Sequence, residues 1–406
     1  MRRSLMAVLL WATASLGAWA QTTTVFGGHY RIPSLLRLSD SQMVAFCDYR
    51  PEGGDVGQSP TLQNNIVSKA FTGGEWGKEQ TLLRAGRRDD GRQYSFGDAA
   101  TAYDEATGRI LLVCAYGDVA YWNSTLDDPI GVYRAYFHLS GDTLAMDSCG
   151  DITPNVYGMF DGKVTKTFFT SGRICQSRMK NPATGLRRLY VSLASNLGAR
   201  VLFSDDFGGT WQVLGGDEAL PAPSGDEAKV AELPNGDVLL SCRARDADGR
   251  YLNVFHFSKP LATDGVWESP VLSADTLTGG LHGARCNGEL LSLPIRNVQS
   301  GRRGCILLQS LPFGVDRSRV GIYYQVCDGG IPSARQLATG WKPFAVSTTH
   351  SAYSTMADNG RNGVDLLYEE DLMGPNPDNY NYNIKYRSIS IKDLTRGEYE
   401  YDAPLP

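Results

Sequence analysis

The sequence has few of the residues that build metal and cofactor sites. It contains five histidines and eight cysteines in 406 residues. No histidines form an H-E-x-x-H pair and no cysteines form a C-x-x-C motif, so the spacings typical of zinc proteases and zinc ribbons are missing. The scattered cysteines leave any disulfide pairing open. We therefore predict that the protein works without a metal ion and without a cofactor.

The chain also lacks a basic block and a long apolar segment. Its 39 basic and 44 acidic residues give a net charge of −5, which argues against nucleic acid as a partner. The apolar run from Leu5 to Ala18 follows two arginines and ends in an Ala-Trp-Ala sequence, and it is too short to span a membrane. We expect a signal peptide at residues 1–20, one domain at residues 21–406, no membrane span, and export to the periplasm or the medium.

Sustained helical periodicity is missing as well. Asp226–Leu233 is the best candidate for a helix, and it is short. Short apolar or alternating runs follow one another instead, and 45 glycines and 20 tyrosines suit strands joined by tight turns. No linker or low-complexity stretch divides them. The sequence predicts an all-β domain, and so many strands fit a ring of four-stranded units better than a sandwich.

The most regular motif is the turn Ser204–Trp211, which reads S-x-D-x-G-x-T-W. Asp206 can accept backbone N–H groups within the turn, the glycines permit positive φ, and the tryptophan packs at the start of the next strand. A decayed copy lies at Lys69–Trp76 and a looser echo at Thr263–Trp267. Because one type of corner recurs, the sequence predicts repeated blades. The turns themselves are expected to carry no chemistry.

Charged residues and tyrosines follow in a characteristic order along the chain. They are Tyr30-Arg31-Ile32-Pro33, Asp48-Tyr49-Arg50, Gly53-Gly54-Asp55, Phe96-Gly97-Asp98, Asp226-Glu227, Arg243, Arg302-Arg303, Ala352-Tyr353-Ser354 and Leu366-Leu367-Tyr368-Glu369. With the turn Ser204–Trp211, which matches an Asp box, this set resembles the bacterial exo-sialidases (the neuraminidase family) over most of the chain. The resemblance implies a six-bladed β-propeller of four-stranded antiparallel blades that acts on sialylated glycans.

The resemblance further implies that three arginines bind the carboxylate of the substrate. Arg31 matches the first and Arg243 the second. The third is Arg302 or Arg303, and Arg302 is favoured because family members place this arginine before an Asp-box serine. Planar guanidinium groups suit the role, since each can bind a carboxylate through two hydrogen bonds. Glu369 resembles the carboxylate that holds Arg31.

The same resemblance assigns the loop acid/base to Asp55, with Asp48 as the competing aspartate. A loop that shields Asp55 from water would let it protonate the departing glycosidic oxygen. Arg50 and Asp98 match residues on the side of the pocket that receives the N-acyl group of the sugar.

Tyr353 resembles the nucleophile and Glu227 its base. The spacing of Glu227 to Arg243 favours it over Asp226 and Glu232. A neutral phenol avoids the repulsion that an anionic nucleophile would meet beside the substrate carboxylate. Because the reference pKa of a phenol is about 10, a neighbouring carboxylate must take its proton.

Three functions remain open on the sequence. The first is hydrolysis of terminal sialic acid by the retaining mechanism. The second is action on a related ulosonic acid (Kdn or Kdo), or transfer of sialic acid instead of hydrolysis. The third is a non-catalytic propeller that binds glycans, which would not need the Tyr353–Glu227 pair or Asp55.

Overall fold

The computed structural model describes residues 22–58, 61, 63–283, 285–314, 316–373 and 381–403. The expected signal peptide at residues 1–20 lies outside the described residues. Within them the regular structure is predominantly β-strand, with three short α-helices and two 3₁₀ turns. No helix in these ranges is long and apolar enough to cross a membrane.

The first fifteen strands cover the N-terminal half of the chain. They are β1 (Thr23–Arg37), β2 (Met43–Tyr49), β3 (Asn65–Thr72), β4 (Glu75–Trp76), β5 (Gln80–Leu83), β6 (Gly86–Arg87), β7 (Gln93–Asp104), β8 (Arg109–Gly117), β9 (Gly131–Ser140), β10 (Thr143–Asp151), β11 (Thr167–Phe169), β12 (Gly172–Arg173), β13 (Cys175–Lys180), β14 (Arg187–Ser195) and β15 (Gly198–Ser204).

The remaining strands and the helices complete the described chain. The strands are β16 (Gln212–Val213), β17 (Gly225–Glu232), β18 (Val238–Ala244), β19 (Arg250–Phe257), β20 (Gly265–Trp267), β21 (Val271–Ser273), β22 (Leu290–Asn297), β23 (Arg303–Gly314), β24 (Ser318–Cys327), β25 (Lys342–Ala345), β26 (Ser351–Asp358), β27 (Gly363–Met373), β28 (Asn381–Ser390) and β29 (Tyr399–Tyr401). The helices are α1 (Thr153–Gly158), α2 (Ala334–Leu337) and α3 (Ile391–Leu394), with 3₁₀ turns at Tyr121–Asn123 and Thr276–Thr278.

Five hydrogen-bonded sheets hold these strands. An eight-stranded sheet contains β1–β5 and β26–β28, a six-stranded sheet contains β6–β10 and β12, and three five-stranded sheets follow in chain order. Strand β1 joins both ends of the chain, because its first half pairs with β28 and its second half with β2. Short β12 pairs parallel to β7, whereas the other strand pairs are antiparallel.

Six apolar clusters lie between consecutive sets of strands and return to the start. They join β1–β5 to β7–β10, β7–β9 to β11–β15, β13–β15 to β17–β19, β17–β19 to β22–β24, β22–β24 to β26–β28, and β26–β28 to β1–β3. Burying both faces of each set removes apolar side chains from water at every interface, which is the main stabilising term for such an arrangement.

The turn Ser204–Trp211 joins β15 to β16 and bonds as its sequence predicts. The hydroxyl of Ser204 accepts the N–H of Gly208 at 2.8 Å, and the carboxylate of Asp206 accepts both the N–H and the hydroxyl of Thr210 at 2.8 Å. Gly208 adopts a φ of 80°, in the region that favours glycine. The decayed copy joins β3 to β4, and the looser echo joins β19 to β20.

The prediction of a short helix at Asp226–Leu233 is wrong. Most of this segment forms strand β17. Ala228 and Val230 pack toward the preceding set of strands, while Ala231 and Leu233 pack toward the following one. A strand that is buried on both faces has a nearly continuous apolar pattern, which sequence periodicity does not separate from a helix.

Candidate active site

Four strands are interrupted by irregular pairing beside residues that the sequence singles out. The register shifts lie at Arg31/Ser34 in β1, Gly97/Ala100 in β7, Gly225/Ala228 in β17 and Ser351/Ser354 in β26. Bulges of this kind re-aim side chains and leave backbone groups without a ladder partner. Ile32 and Asp98 accordingly have φ values of 56° and 60°. Arg31, Asp98, Glu227 and Tyr353 therefore leave the regular alternation of their strands.

The carboxylate of Glu369 connects two of these interruptions. Its Oε1 accepts the Nε–H of Arg31 at 2.9 Å and the backbone N–H of Ile32 at 2.8 Å, and its Oε2 accepts the backbone N–H of Tyr353 at 3.0 Å. Glu369 is fully buried. One buried charge thus neutralises Arg31 and satisfies two backbone donors that the bulges release. The contact with Arg31 is the one that the sequence resemblance implies.

Tyr353 and Glu227 form the centre of the site. The phenol of Tyr353 donates to Oε2 of Glu227 at 2.7 Å, and Nη1 of Arg243 donates to the same oxygen at 2.8 Å. The guanidinium carbons of Arg31 and Arg317 lie 5.5 Å and 5.7 Å from the centre of the Tyr353 ring. Three guanidinium groups therefore surround one phenol and its carboxylate partner.

The electrostatics keep the proton of this pair on the phenol. Burial raises the pKa of Tyr353 well above its usual value, the charge of Glu227 adds to this, and Arg243 and Arg317 oppose it. Burial also raises the pKa of Glu227, against the effect of Arg243. The phenol is consequently neutral near pH 7, and its proton has an acceptor within hydrogen-bond distance.

A second cluster surrounds the fully buried Arg50. Oδ2 of Asp48 accepts from Nε and Nη2 of Arg50 at 3.0 Å and 2.6 Å, Oδ1 of Asp98 lies 3.5 Å from Nη2, and Asp55 accepts from Nη1. Asp48 also accepts the backbone N–H of Asp98 at 3.0 Å. Burial raises the pKa of Asp48 to about 6, against the effect of Arg50. Because Asp48 is fully buried and bonded on both sides, it positions its neighbours and cannot meet a substrate.

The two other aspartates of this cluster differ in environment. The Asp55 side chain is 58 % exposed and the Asp98 side chain 17 % exposed. Burial works to raise the pKa of Asp55, but Arg50 and then Arg31 outweigh it and hold that pKa below its usual value. Burial raises the pKa of Asp98 well above its usual value, with added effects of Asp48 and Asp55 that Arg50 only partly offsets. Of these two aspartates, Asp55 thus favours ionisation and Asp98 favours the neutral form.

A cavity of about 370 Å³ brings most of the predicted residues together. It is lined by Arg31, Asp55, Asp98, Glu227, Arg243 and Tyr353, and also by Arg317. Arg50 pairs with Asp55 and Asp98 of this lining and with the buried Asp48 behind it. One wall is apolar and is formed by Val56, Ala115, Ile130, Tyr121 and Phe168. Trp122, which is 69 % exposed, lies on the rim beside Tyr121.

Arg302 and Arg303 do not reach this cavity, so the prediction for the third arginine is corrected by the structure. Arg302 donates to the backbone carbonyl of Asp328, and the 67 % exposed side chain of Arg303 pairs with Asp402 at 2.9 Å. Strand β23 has 12 residues and begins at Arg303, whereas the cavity lies beyond its other end, about 40 Å along an extended chain. Arg317, in the turn after β23, lines the cavity instead.

A positional signal in the sequence could have found Arg317. Arg50 directly follows β2, Arg243 lies at the end of β18, and Arg317 follows β23. Strands β2, β18 and β23 are each the second long strand of their set. Arg317 also has a φ of 57°, which places it in a tight turn. Tyr382 was missed as well, because its only signal is spatial: the guanidinium carbon of Arg31 lies 5.4 Å from the centre of its ring.

The eight cysteines are free thiols in the structure. Among the described ranges, no group of three or more His, Cys, Asp or Glu side chains is arranged to hold a metal ion. The polar side chains that line the cavity carry guanidinium, carboxyl, phenol, amide and indole groups.

No protein-family model matches the chain. A sialidase from Paraclostridium sordellii is 23 % identical over 393 residues, which cover 91 % of this chain and 88 % of that protein. A sialidase from Micromonospora viridifaciens is 28 % identical over 350 residues, which cover 84 % of this chain and 50 % of that protein. The structure of a leech intramolecular trans-sialidase matches with a TM-score of 0.67 at 16 % identity, covering 94 % of this chain and 72 % of that one.

The chain is thus similar to two sialidases over most of its own length. This confirms the resemblance found in the sequence, and the structural match adds a sialidase-type all-β fold. The chain spans about half the length of the Micromonospora viridifaciens sialidase. At such low identities, the function of this protein has to be argued from its own residues.

Proposed function

We propose that the protein is a retaining exo-α-sialidase that releases terminal sialic acid from glycans. The observation that carries the proposal is the 2.7 Å hydrogen bond from Tyr353 to Glu227, among guanidinium groups from three distant parts of the chain. A sialoside bears a carboxylate on its anomeric carbon, so a site for it needs cations beside a nucleophile that carries no charge. This cavity supplies both.

Arg31, Arg243 and Arg317 bind the substrate carboxylate in this proposal. Arg31 is oriented by Glu369 and Arg243 by Glu227, so both guanidinium groups are held before substrate arrives. Preorganised cations of this kind lose little conformational entropy on binding, which leaves more of the binding energy for catalysis.

Tyr353 then acts as nucleophile. Its oxygen bonds to the anomeric carbon while its proton passes to Glu227, and the glycosidic bond breaks as the leaving oxygen takes a proton from Asp55. In the second step water bonds to the anomeric carbon and gives its proton to Asp55. Tyr353 leaves and recovers its proton from Glu227. Two displacements at one carbon retain the anomeric configuration.

Asp55 lies on a loop that begins at two glycines, and it reaches into the cavity. Arg50 holds its pKa down in the present arrangement. We therefore assign the protonation of Asp55 to the substrate complex. There the aglycone displaces water from the loop, which disfavours the charged form of Asp55 and raises its pKa.

The apolar wall favours an N-acylated sugar over Kdn or Kdo. Val56, Ala115 and Ile130 are buried together beside Asp98 and Arg50. A methyl group of an N-acyl substituent would bury apolar surface there, while a hydroxyl would lose hydrogen bonds to water. We propose sialic acid as the preferred substrate on this ground.

The proposal extends to the blade architecture of the fold and to the location of the protein. Six apolar interfaces that close in a cycle support a six-bladed propeller, with β1 as the strand that joins the last blade to the first. We propose that residues 21–406 form this single domain and that the protein is exported to the periplasm or the medium.

The proposal is tested with Tyr353→Phe, which keeps the ring against Arg31 but removes the oxygen bonded to Glu227. With a 4-methylumbelliferyl α-sialoside, kcat should fall about 100-fold or more, while the dissociation constant of the substrate stays within about threefold. Tyr368→Phe is the matched control, because Tyr368 is buried in another cluster and should keep wild-type turnover. Equal turnover of wild type and Tyr353→Phe would refute the mechanism.

Product analysis separates the alternatives. Proton NMR of a running reaction with 3′-sialyllactose should show the α-anomer of free sialic acid first, as retention requires. A product in which a hydroxyl of the same sugar or of an added acceptor has bonded to the anomeric carbon would identify transfer instead. Intact substrate after prolonged incubation with wild-type protein would indicate a non-catalytic glycan-binding propeller. Faster cleavage of the Kdn glycoside than of the N-acetyl glycoside would overturn the substrate assignment.

A further inference from the structure

A second cavity, the outer pocket, opens beside α1 and strands β15 and β16. Its volume is about 550 Å³, and it shares no lining residue with the catalytic cavity. The lining side chains that decide its chemistry are Phe160, Asp161, Lys163, Arg200, Trp211, Asp217 and Glu218.

Arg200 is the unusual residue of this pocket. It is 4 % exposed, and among the described residues no carboxylate oxygen lies within 4.0 Å of its guanidinium group. Its Nη1 donates to the hydroxyl of Ser195 at 3.3 Å, its Cζ lies 5.1 Å from the centre of the Phe160 ring, and its Nε has no hydrogen-bond partner. Burial lowers its pKa, with only a partial offset from Glu218.

Other buried arginines of the chain are compensated. Arg31, Arg50 and Arg188 each bind a carboxylate, and Arg250, which binds none, donates to four oxygen acceptors. A buried guanidinium with one weak neutral acceptor costs folding free energy. An arginine in this state, on the wall of a cavity, is suited to receive an anion from outside.

Trp211 adds an aromatic ring to the lining of the same pocket. Its ring packs edge-on against Phe169. A ligand with an apolar face can pack against this ring.

The rim of the pocket restricts the charge of the ligand. Lys163 pairs with Glu218, and Asp161 and Asp217 are exposed nearby. These carboxylates repel a polyanion such as a phosphate ester or a nucleic acid, but they accept hydrogen bonds from hydroxyl groups. A ligand with one carboxylate and several hydroxyl groups fits this combination of a buried arginine and an acidic rim.

We propose that the outer pocket is a second binding site for a polyhydroxylated monocarboxylate, that is, an acidic sugar whose carboxylate binds Arg200. The hydroxyl groups of the sugar donate to the rim carboxylates, and its apolar face contacts Trp211. The inference does not require that the protein hydrolyse sialosides.

The test uses Arg243→Met, which weakens binding in the catalytic cavity, and measures binding of N-acetylneuraminic acid and of glucuronic acid by equilibrium titration. Each acid should bind at one site, and adding Arg200→Met should weaken that binding about tenfold or more. The methyl esters keep the hydroxyls and lose the charge, so they serve as matched controls and should not bind. No binding to Arg243→Met, or equal binding after Arg200→Met, would overturn the proposal.

A second readout covers the case in which Arg200→Met does not fold. Each tryptophan gives its own indole N–H signal in a ¹⁵N-labelled protein, and Trp211→Phe identifies the signal of Trp211. Titration with either acid should shift that signal, and the esters should leave it unchanged. A Trp211 signal that does not respond to the acids refutes the site.

The two proposals fail separately. In the otherwise wild-type protein, Arg200→Met should keep the turnover of a methylumbelliferyl sialoside within about twofold. Loss of the outer site would leave the Tyr353 mechanism untouched, and loss of catalysis in Tyr353→Phe would leave the outer site intact.

Discussion

The carboxylate of Glu369 accepts the Nε–H of Arg31 at 2.9 Å, and its other oxygen binds the backbone N–H of Tyr353. The substrate-binding cation and the nucleophile of the proposed mechanism are therefore held by one buried group. A disturbance at Glu369 should act on binding and on chemistry together.

Glu369→Gln tests this coupling. A glutamine amide can keep one acceptor oxygen, but its NH₂ group would face a donor, and the charge of Arg31 would remain buried without compensation. We expect a loss of about 3 kcal/mol in the free energy of unfolding, together with a higher KM and a lower kcat. Glu370→Gln, one residue along β27 and partly exposed, is the control and should change neither. A variant with wild-type kcat would show that Glu369 does not position Tyr353.

The identity of the loop acid can be decided with two leaving groups. Loss of a general acid slows release of a lactose alcohol by about 10²–10⁴-fold, but it affects an acidic phenol such as methylumbelliferone far less. Asp55→Asn should show this difference, whereas Asp98→Asn should slow both substrates alike, because in the proposed complex Asp98 contacts the sugar and not the leaving group. The opposite pattern would assign the role of general acid to Asp98. Burial already raises the pKa of that residue.

The correction of the third arginine predicts a contrast between two variants. Arg317→Met should raise the KM of a sialoside by about 10- to 100-fold, since it removes hydrogen bonds between charged groups. Arg302→Met should leave KM unchanged, because Arg302 bonds to the backbone of Asp328 instead. Steady-state kinetics with one substrate measures both, and the reverse ranking would contradict the structure.

The acid side of the pH profile should report Glu227. Its pKa is raised by burial first, Arg243 opposes this, and the charge of Asp226 raises it further. Glu227 must be ionised to accept the phenol proton, so activity is lost as the pH falls through its pKa. Asp226→Asn removes a negative neighbour and should move the acid limb of kcat/KM to lower pH. Asp142→Asn, in the exposed turn after β9, should leave the limb in place; an unmoved limb in Asp226→Asn would assign it to another group.

Much of the candidate site could be predicted because its residues lie in local motifs. Arg31 precedes Ile-Pro, Tyr353 lies between alanine and serine, and Glu369 ends a short apolar strand segment. Each motif fixes a residue within its own strand. The turn Ser204–Trp211 was predictable for the same reason, since its hydrogen bonds join residues a few positions apart.

The errors and omissions concern relations between distant strands. The helix considered at Asp226–Leu233 gave way to a strand because packing on both faces overrides a local pattern. Arg302 was preferred to Arg303, and Arg317 was missed, because sequence position does not state which end of β23 meets the cavity. The unpaired Arg200 had no signal in the sequence at all, since only the fold decides whether a carboxylate comes near it.

The sequence alone determined the strand-and-turn character of the chain and the chemical groups available to it. These depend on short-range geometry, on alternating side chains and on turns closed by neighbouring residues. The tertiary structure alone decided which groups share a cavity, and it gave Asp55 and Asp98 pKa values that depart from the usual value in opposite directions. The physical reason is that burial and Coulomb interactions depend on distance in space, and the closing of the sheets sets that distance independently of separation along the chain.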